Sequence, residues 1–202
     1  FSFVPNFVSL YDEGVGDEGL YSELTPPKSS GERWIGVAPF AKHKGKIYPL
    51  DCMEKVVSKL SEESRVKIFL FGSGDREREI LSLWRERYPG VISLADKRYG
   101  FAVELSLMSR LDVMISMDSA NMHLASLVEV PVVSVWGATH PYCGFLGWRQ
   151  SDSGVVELPL DCRPCSVFGN KPCYRKDYAC LEIAPETIVD RVKSLETLIK
   201  EK

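Results

Sequence analysis

Between Trp34 and Trp136, short apolar runs alternate with amphipathic stretches of ten or so residues. Strands and helices taken in turn make a parallel sheet with helices on both faces. Trp34 to Pro39, Val66 to Phe71, Val91 to Leu94, Asp112 to Ser116 and 131–136 read as the strands. Pro49 opens a helix with Leu50, Met53, Val56, Val57 and Leu60 on its inner face. Further helices are expected over Arg76 to Tyr88 (Ile80, Leu81 and Trp84 inward), Phe101 to Arg110 and 119–128. The expected class is α/β, a Rossmann-like doubly wound sheet with right-handed crossovers.

The ends of the chain depart from this rhythm. Residues 1–33 read as a lead-in or interdomain linker. Phe1, Phe3, Val4, Phe7, Val8, Leu10 and Tyr11 form apolar patches, then Thr25-Pro26-Pro27-Lys28-Ser29-Ser30-Gly31 marks flexible chain. A start at Phe1 rather than methionine, with no signal-peptide pattern, suggests a fragment or a processed chain. The main domain is expected over 34–202. It carries a cysteine-rich loop at 158–180 and a last helix at 184–200, with Ile188, Val189, Val192, Leu195 and Leu198 on one face. With 25 Lys and Arg against 28 Asp and Glu, no basic excess is available to follow a nucleic-acid backbone. No apolar run reaches the ~18 residues of a membrane-spanning helix.

In an open α/β sheet, ligands sit outside the carboxyl ends of the strands. Asp118 and Ser119 end the fourth strand, and His123 lies one turn into the next helix. The backbone N–H groups of Ala120, Asn121 and Met122 are helix-start donors that would face an anion. Ser119 is equally the expected N-cap, and His123 also reads as an ordinary helix residue. At the neighbouring strand end, Gly137 permits close backbone approach and Thr139 offers a hydroxyl. Three lysines in the loop Lys42 to Lys46 follow the first strand on the same sheet edge. Of these, Lys46 is assigned to a phosphate and the others to solvent. Gly72-Ser73-Gly74-Asp75 is not a GxGxxG fingerprint, because Glu77 stands where the third glycine belongs. Asp75 either holds a ribose diol or complements its helix N-terminus.

Asp118 to Ala125 resembles the D-[ST]-G-x-x-H-L-A-A signature of glycosyltransferase family 9, the heptosyltransferases of lipopolysaccharide core assembly. Pro131 to Pro141 is similar to its P-V-V-x-L-[FW]-G-x-T-x-P. Lys46-Ile47-Tyr48-Pro49 is similar to K-R-W-P, and Gly72 to Asp75 sits where G-x-x-[ED] lies. The likeness runs over about residues 34 to 200. It implies the C-terminal half of a GT-B fold, which binds a nucleotide-sugar donor, typically ADP-heptose. It further implies metal-independent inverting transfer to a glycolipid acceptor at the inner face of the cytoplasmic membrane. The catalytic carboxylate and most acceptor contacts would lie on an N-terminal half that nothing here matches. Lys46 would meet the donor phosphates, Asp75 the ribose and Asp118 the sugar, with the Ser119–His123 helix start holding the diphosphate. Two departures fall at the sugar position: Ala120 replaces the family's glycine, and Asn121 stands at an often-proline position.

Cys162, Cys165, Cys173 and Cys180 lie within nineteen residues. A structural tetrathiolate zinc, reduced buried thiols and a disulfide pair all fit this spacing. The rival to the transferase reading is a non-catalytic interaction module on the same scaffold, stapled by zinc at that loop.

Overall fold

The structure, a computed structural model, describes residues 6–200. Phe1, Phe3 and Val4, and the side chain of Leu198, lie outside the described residues. Strands β1 (Arg33–Ala38), β2 (Val66–Leu70), β3 (Val91–Ser93), β4 (Val113–Met117), β5 (Val132–Trp136) and β6 (Val155–Glu157) form one sheet of order β3-β2-β1-β4-β5-β6. Every adjacent pair is parallel. The order reverses between β1 and β4, and that is where a doubly wound sheet opens a crevice at its carboxyl edge.

Helices α1 (Leu50–Ser61), α2 (Asp75–Arg87) and α5 (Pro185–Lys200) cover one face; α3 (Phe101–Met108) and α4 (Ala120–Leu127) cover the other. Period-2 alternation along each strand divides the core between the faces. Ile35, Val37, Ile68, Leu70, Val113 and Ile115 pack under α1, α2 and α5, against Val56, Leu60, Leu81, Trp84, Ile188 and Val192. Trp34, Phe69, Met114, Val132 and Trp136 pack under α3 and α4. Helix boundaries follow local chemistry. Pro49 precedes α1, and Gly74 with φ +83° precedes α2. The Glu77 carboxylate accepts the Ser73 N–H at 2.8 Å, reaching back across the start of α2.

Two features differ from the sequence expectation. The first is β6, which pairs Val155, Val156 and Glu157 with Ser134, Val135 and Trp136. Its three residues follow Ser151-Asp152-Ser153-Gly154 and make no apolar run, so periodicity cannot find it. Gly154 is required there, since a Cβ would stand 2.1 Å from the Val132 carbonyl oxygen. The second is the stretch before β1. Far from an unpacked lead-in, it lies against α3 and β1. Tyr21 is 1% exposed, and its ring meets Trp34 edge-on at 6.1 Å. The Gly16 N–H donates to Ser109 Oγ at 2.8 Å, Ser106 Oγ–H donates to the Asp17 carbonyl at 2.6 Å, and Lys28 pairs with Asp112 at 2.7 Å. A short turn at Glu18–Tyr21 carries the burial, and its irregular apolar spacing matches neither helix nor strand.

Replacing Tyr21 by Ala therefore removes a core aromatic and lowers the unfolding free energy by about 3 kcal/mol in a urea titration. A loosely attached segment would give about 0.5 kcal/mol or less.

Candidate functional site

Three loops meet at the carboxyl edge, those after β1, β4 and β5. Their centre is Asp118, directly after β4 and only 4% exposed. A buried carboxylate needs charged or hydrogen-bonding partners, and it has two. Thr139 Oγ1 donates to Asp118 Oδ2 at 2.7 Å, and Lys46 Nζ stands 2.8 Å from the same oxygen. No described residue hydrogen-bonds to Oδ1. Thr139 is fully buried, while the Lys46 side chain keeps 15% of its surface open. Three residues singled out separately in the sequence thus form one constellation.

Ser119 occupies the N-cap of α4, but its side chain caps no amide; its hydroxyl lies 3.3 Å from Ser116 Oγ instead. Met122 N–H donates to the Ser119 carbonyl at 3.2 Å, so the expected donor set shrinks. The amides of Ala120 and Asn121 have no hydrogen-bond partner among the described residues, and they mark the positive end of the helix. The Met122 side chain is buried in the core, so with its N–H engaged Met122 offers nothing to this edge, and His123 is exposed. Ala120 begins the helix without a left-handed backbone, so the departure from glycine adds a methyl group at the exposed lip rather than strain. Asn121 is half-buried beside it. Asp75 stands apart, its side chain 86% exposed and paired with Arg78.

The cysteine-rich loop reaches this edge as well, a contact that no motif announces. Gly137 is fully enclosed: a Cβ would lie 2.3 Å from the Gly45 carbonyl oxygen and 2.5 Å from Leu181 Cδ2. Ala138 ties two loops together, donating to Gly45 O and accepting from Cys165 N, each at 2.8 Å. Gly169 lies over the methylenes of Lys46 and the methyl of Thr139. Arg163, 2% exposed at its side chain, donates to the carbonyls of Gly137 (2.5 Å), Thr139 (2.8 Å) and Leu158 (2.7 Å). It also pairs with Glu157 at 2.8 Å. A guanidinium has donors in a fixed fork, and here they lock the β5 loop in place. Arg163 stands inside the Cys162–Cys165 C-x-x-C, and no sequence pattern marks a residue that acts through backbone carbonyl groups.

The four thiols are free, with Cys173 and Cys180 buried. Burial pushes the Cys180 thiol up to about 11, against the pull of the Arg163 guanidinium, and also raises Cys165. Among the described residues no group of three or more His, Cys, Asp or Glu side chains is disposed to hold a metal ion. This disposition gives the tetrathiolate expectation no support, and the fastening seen among the described residues is Arg163.

Arg163→Met would remove the donor from the carbonyls of Trp136, Gly137, Thr139 and Leu158 and leave Glu157 with His140 alone. Its expected cost is about 3–5 kcal/mol in chemical denaturation. A loss below about 1 kcal/mol would show that the clamp does not hold the loop.

Comparison with known proteins bears on this site. The profile of glycosyltransferase family 9 (heptosyltransferase) matches residues 17–173. Lipooligosaccharide heptosyltransferase 2 of Campylobacter jejuni is 25% identical over 172 residues, covering 83% of this chain and 53% of that protein. The structure of Escherichia coli ADP-heptose LPS heptosyltransferase II superposes with TM-score 0.68 at 19% identity, over 91% of this chain and 53% of that one. The iron-containing heptosyltransferase TibC, solved with ADP-D-β-D-heptose, superposes with TM-score 0.62 at 15% identity, over 87% of this chain and 48% of that one. The chain spans about half the length of the curated relatives it matches, 53% and 52% of the two. Among the described residues no helix is long and apolar enough to cross a membrane. With its profile match spanning most of the sequence, from the packed turn before β1 to the cysteine-rich loop, the chain belongs to glycosyltransferase family 9.

Proposed function

We propose that this chain is the donor-binding half of an inverting, metal-independent glycosyltransferase that transfers a heptose from ADP-heptose to a lipooligosaccharide- or lipopolysaccharide-type acceptor. The observation that carries this reading is the Lys46–Asp118–Thr139 constellation beside the uncapped start of α4. In such a transfer the developing charge appears on the leaving diphosphate, so preorganised cations and dipoles at that point lower the barrier. Lys46 supplies the cation, and Asp118 and Thr139 fix its position. The amides of Ala120 and Asn121 supply the dipole. The unpartnered Oδ1 of Asp118 is available to a donor-sugar hydroxyl, with Ala120 and Asn121 forming the lip that screens the sugar. Asp75, exposed at the start of α2, is assigned to the ribose. The acid–base group and most of the acceptor contacts belong to a preceding half, and the enzyme works at the cytoplasmic face of a membrane. Support for ADP-heptose comes from the relatives, whose names specify heptosyltransferases and one of which was solved with that donor.

Calorimetry of this chain with ADP tests the proposal. ADP is expected to bind at up to millimolar affinity. AMP, lacking the β-phosphate, should bind at least ~10-fold more weakly. Lys46→Met should cost ADP about 1.5–3 kcal/mol, roughly a 10- to 150-fold loss. No ADP heat at a sensitivity reaching millimolar, or equal binding of ADP and AMP, would refute a diphosphate site.

A further inference from the structure

The cysteine-rich loop ends in a tip whose side chains the donor site leaves unused. Val167, Phe168 and Tyr174 keep 50%, 59% and 71% of their surface open to water. A free loop can turn such side chains inward to recover the cost of exposing them. This tip is pinned instead. The Cys165 N–H donates to the Ala138 carbonyl at 2.8 Å, Gly169 lies against Lys46 and Thr139, and Cys173 is buried. The Phe168 ring stands 5.6 Å from that of Phe145, in the loop after β5, and the rest of it faces out. The fold therefore holds apolar side chains outward on an anchored support.

Cations accompany them. Between Pro164 and Tyr178 stand Lys171, Arg175 and Lys176 against a single carboxylate, Asp177, in a chain whose net charge is −3. That carboxylate is already held by Arg175 at 3.0 Å. Lys171 and Lys176 are exposed, and so is Lys44, whose Nζ lies 5.1 Å over the Tyr178 ring. None of these three lysines forms an ion pair among the described residues. Beside the turn at Asp177, Lys44 and Lys176 also line, with Arg76, a basic pocket of about 1000 Å³.

We infer that this tip docks onto an anionic lipid surface. Charge complementarity selects that occupant: unpaired cations beside outward apolar side chains match a bilayer, which is apolar within and anionic at its face. Val167 and Phe168 enter the acyl boundary, Tyr174 lies at headgroup level, and Lys44, Lys171 and Lys176 lie over the phosphates. Gly169, inside the same tip, covers Lys46, so docking brings a lipid-held acceptor to the edge where Lys46 stands. The inference rests on the membrane-face part of the proposed function and not on the ADP site.

Vesicle flotation of this chain tests it, with phosphatidylcholine alone and with phosphatidylcholine carrying about 40% phosphatidylglycerol as the probes. The chain should float with the anionic vesicles at about 50 mM salt, stay down with the neutral ones, and be released at about 500 mM salt. Lys171→Gln/Lys176→Gln should weaken vesicle binding ~10-fold or more, since each lysine near the surface is worth roughly 5-fold. Val167→Ser/Tyr174→Ser should weaken it with the charge unchanged. Lys59→Gln/Lys193→Gln removes the same charge from lysines that pair with Glu186 and Glu63, and should leave binding within about twofold. ADP calorimetry on every variant should stay within about twofold of the parent, which shows that each one folds. No flotation with anionic vesicles, equal flotation with neutral ones, or an equal loss in the Lys59/Lys193 variant would overturn the inference. So would a chain that ignores vesicles and sediments as a dimer until Tyr174 is replaced, which assigns the tip to a second copy. ADP heat without vesicle binding overturns the lipid surface alone; vesicle binding without ADP heat overturns the donor reading alone.

Discussion

A carboxylate at the end of β4, almost wholly removed from water, dictates much of what surrounds it. Left alone, an ionised Asp118 would cost several kcal/mol of desolvation. The chain answers with a cation from the loop after β1 and a hydroxyl from the loop after β5. Because β1, β4 and β5 are consecutive in the sheet, one small ion pair fixes three loops at once. The arrangement also solves a chemical problem. A lysine held at 2.8 Å by a buried partner is a preorganised charge rather than a mobile one, and preorganisation makes electrostatic stabilisation effective in catalysis.

Most of this was legible in the sequence because it follows from periodicity and order. The βα alternation sets the parallel sheet, and each site residue lies in the loop that follows a strand, so Lys46, Asp118 and Thr139 fall at one edge. What escaped depends on long-range packing. β6 has three residues and no apolar run, and it exists because it can pair with β5. Tyr21 and its turn carry no helix or strand period and are buried through contact with α3 and Trp34. Arg163 acts through carbonyl groups, which a sequence does not display. Ser119 looked like a capping serine by composition, but its hydroxyl turns toward Ser116 and leaves the helix start open. Asp75 lies in the expected loop yet remains outside the constellation, since nothing in the sequence fixes how far a loop residue leans.

The cysteine-rich loop gains a different meaning from this geometry. Four thiols in nineteen residues suggest a metal staple, but the fastening element is the guanidinium among them. Through Arg163, Ala138 and Gly169 the loop closes over Lys46 on one side. Its turn at Asp177 opens the basic pocket on the other. A single insertion after β6 thus shapes two adjoining surfaces, the edge around Lys46 and the pocket beside it.

The central claim is the location of the diphosphate, and a difference electron-density map of the chain crystallised with ADP tests it most directly. The β-phosphate should stand within hydrogen-bonding distance of Lys46 Nζ and of the Ala120 and Asn121 amides, with Asp118 still holding the lysine. Nucleotide density elsewhere, with the Lys46–Asp118 pair and the α4 start unoccupied, would contradict it.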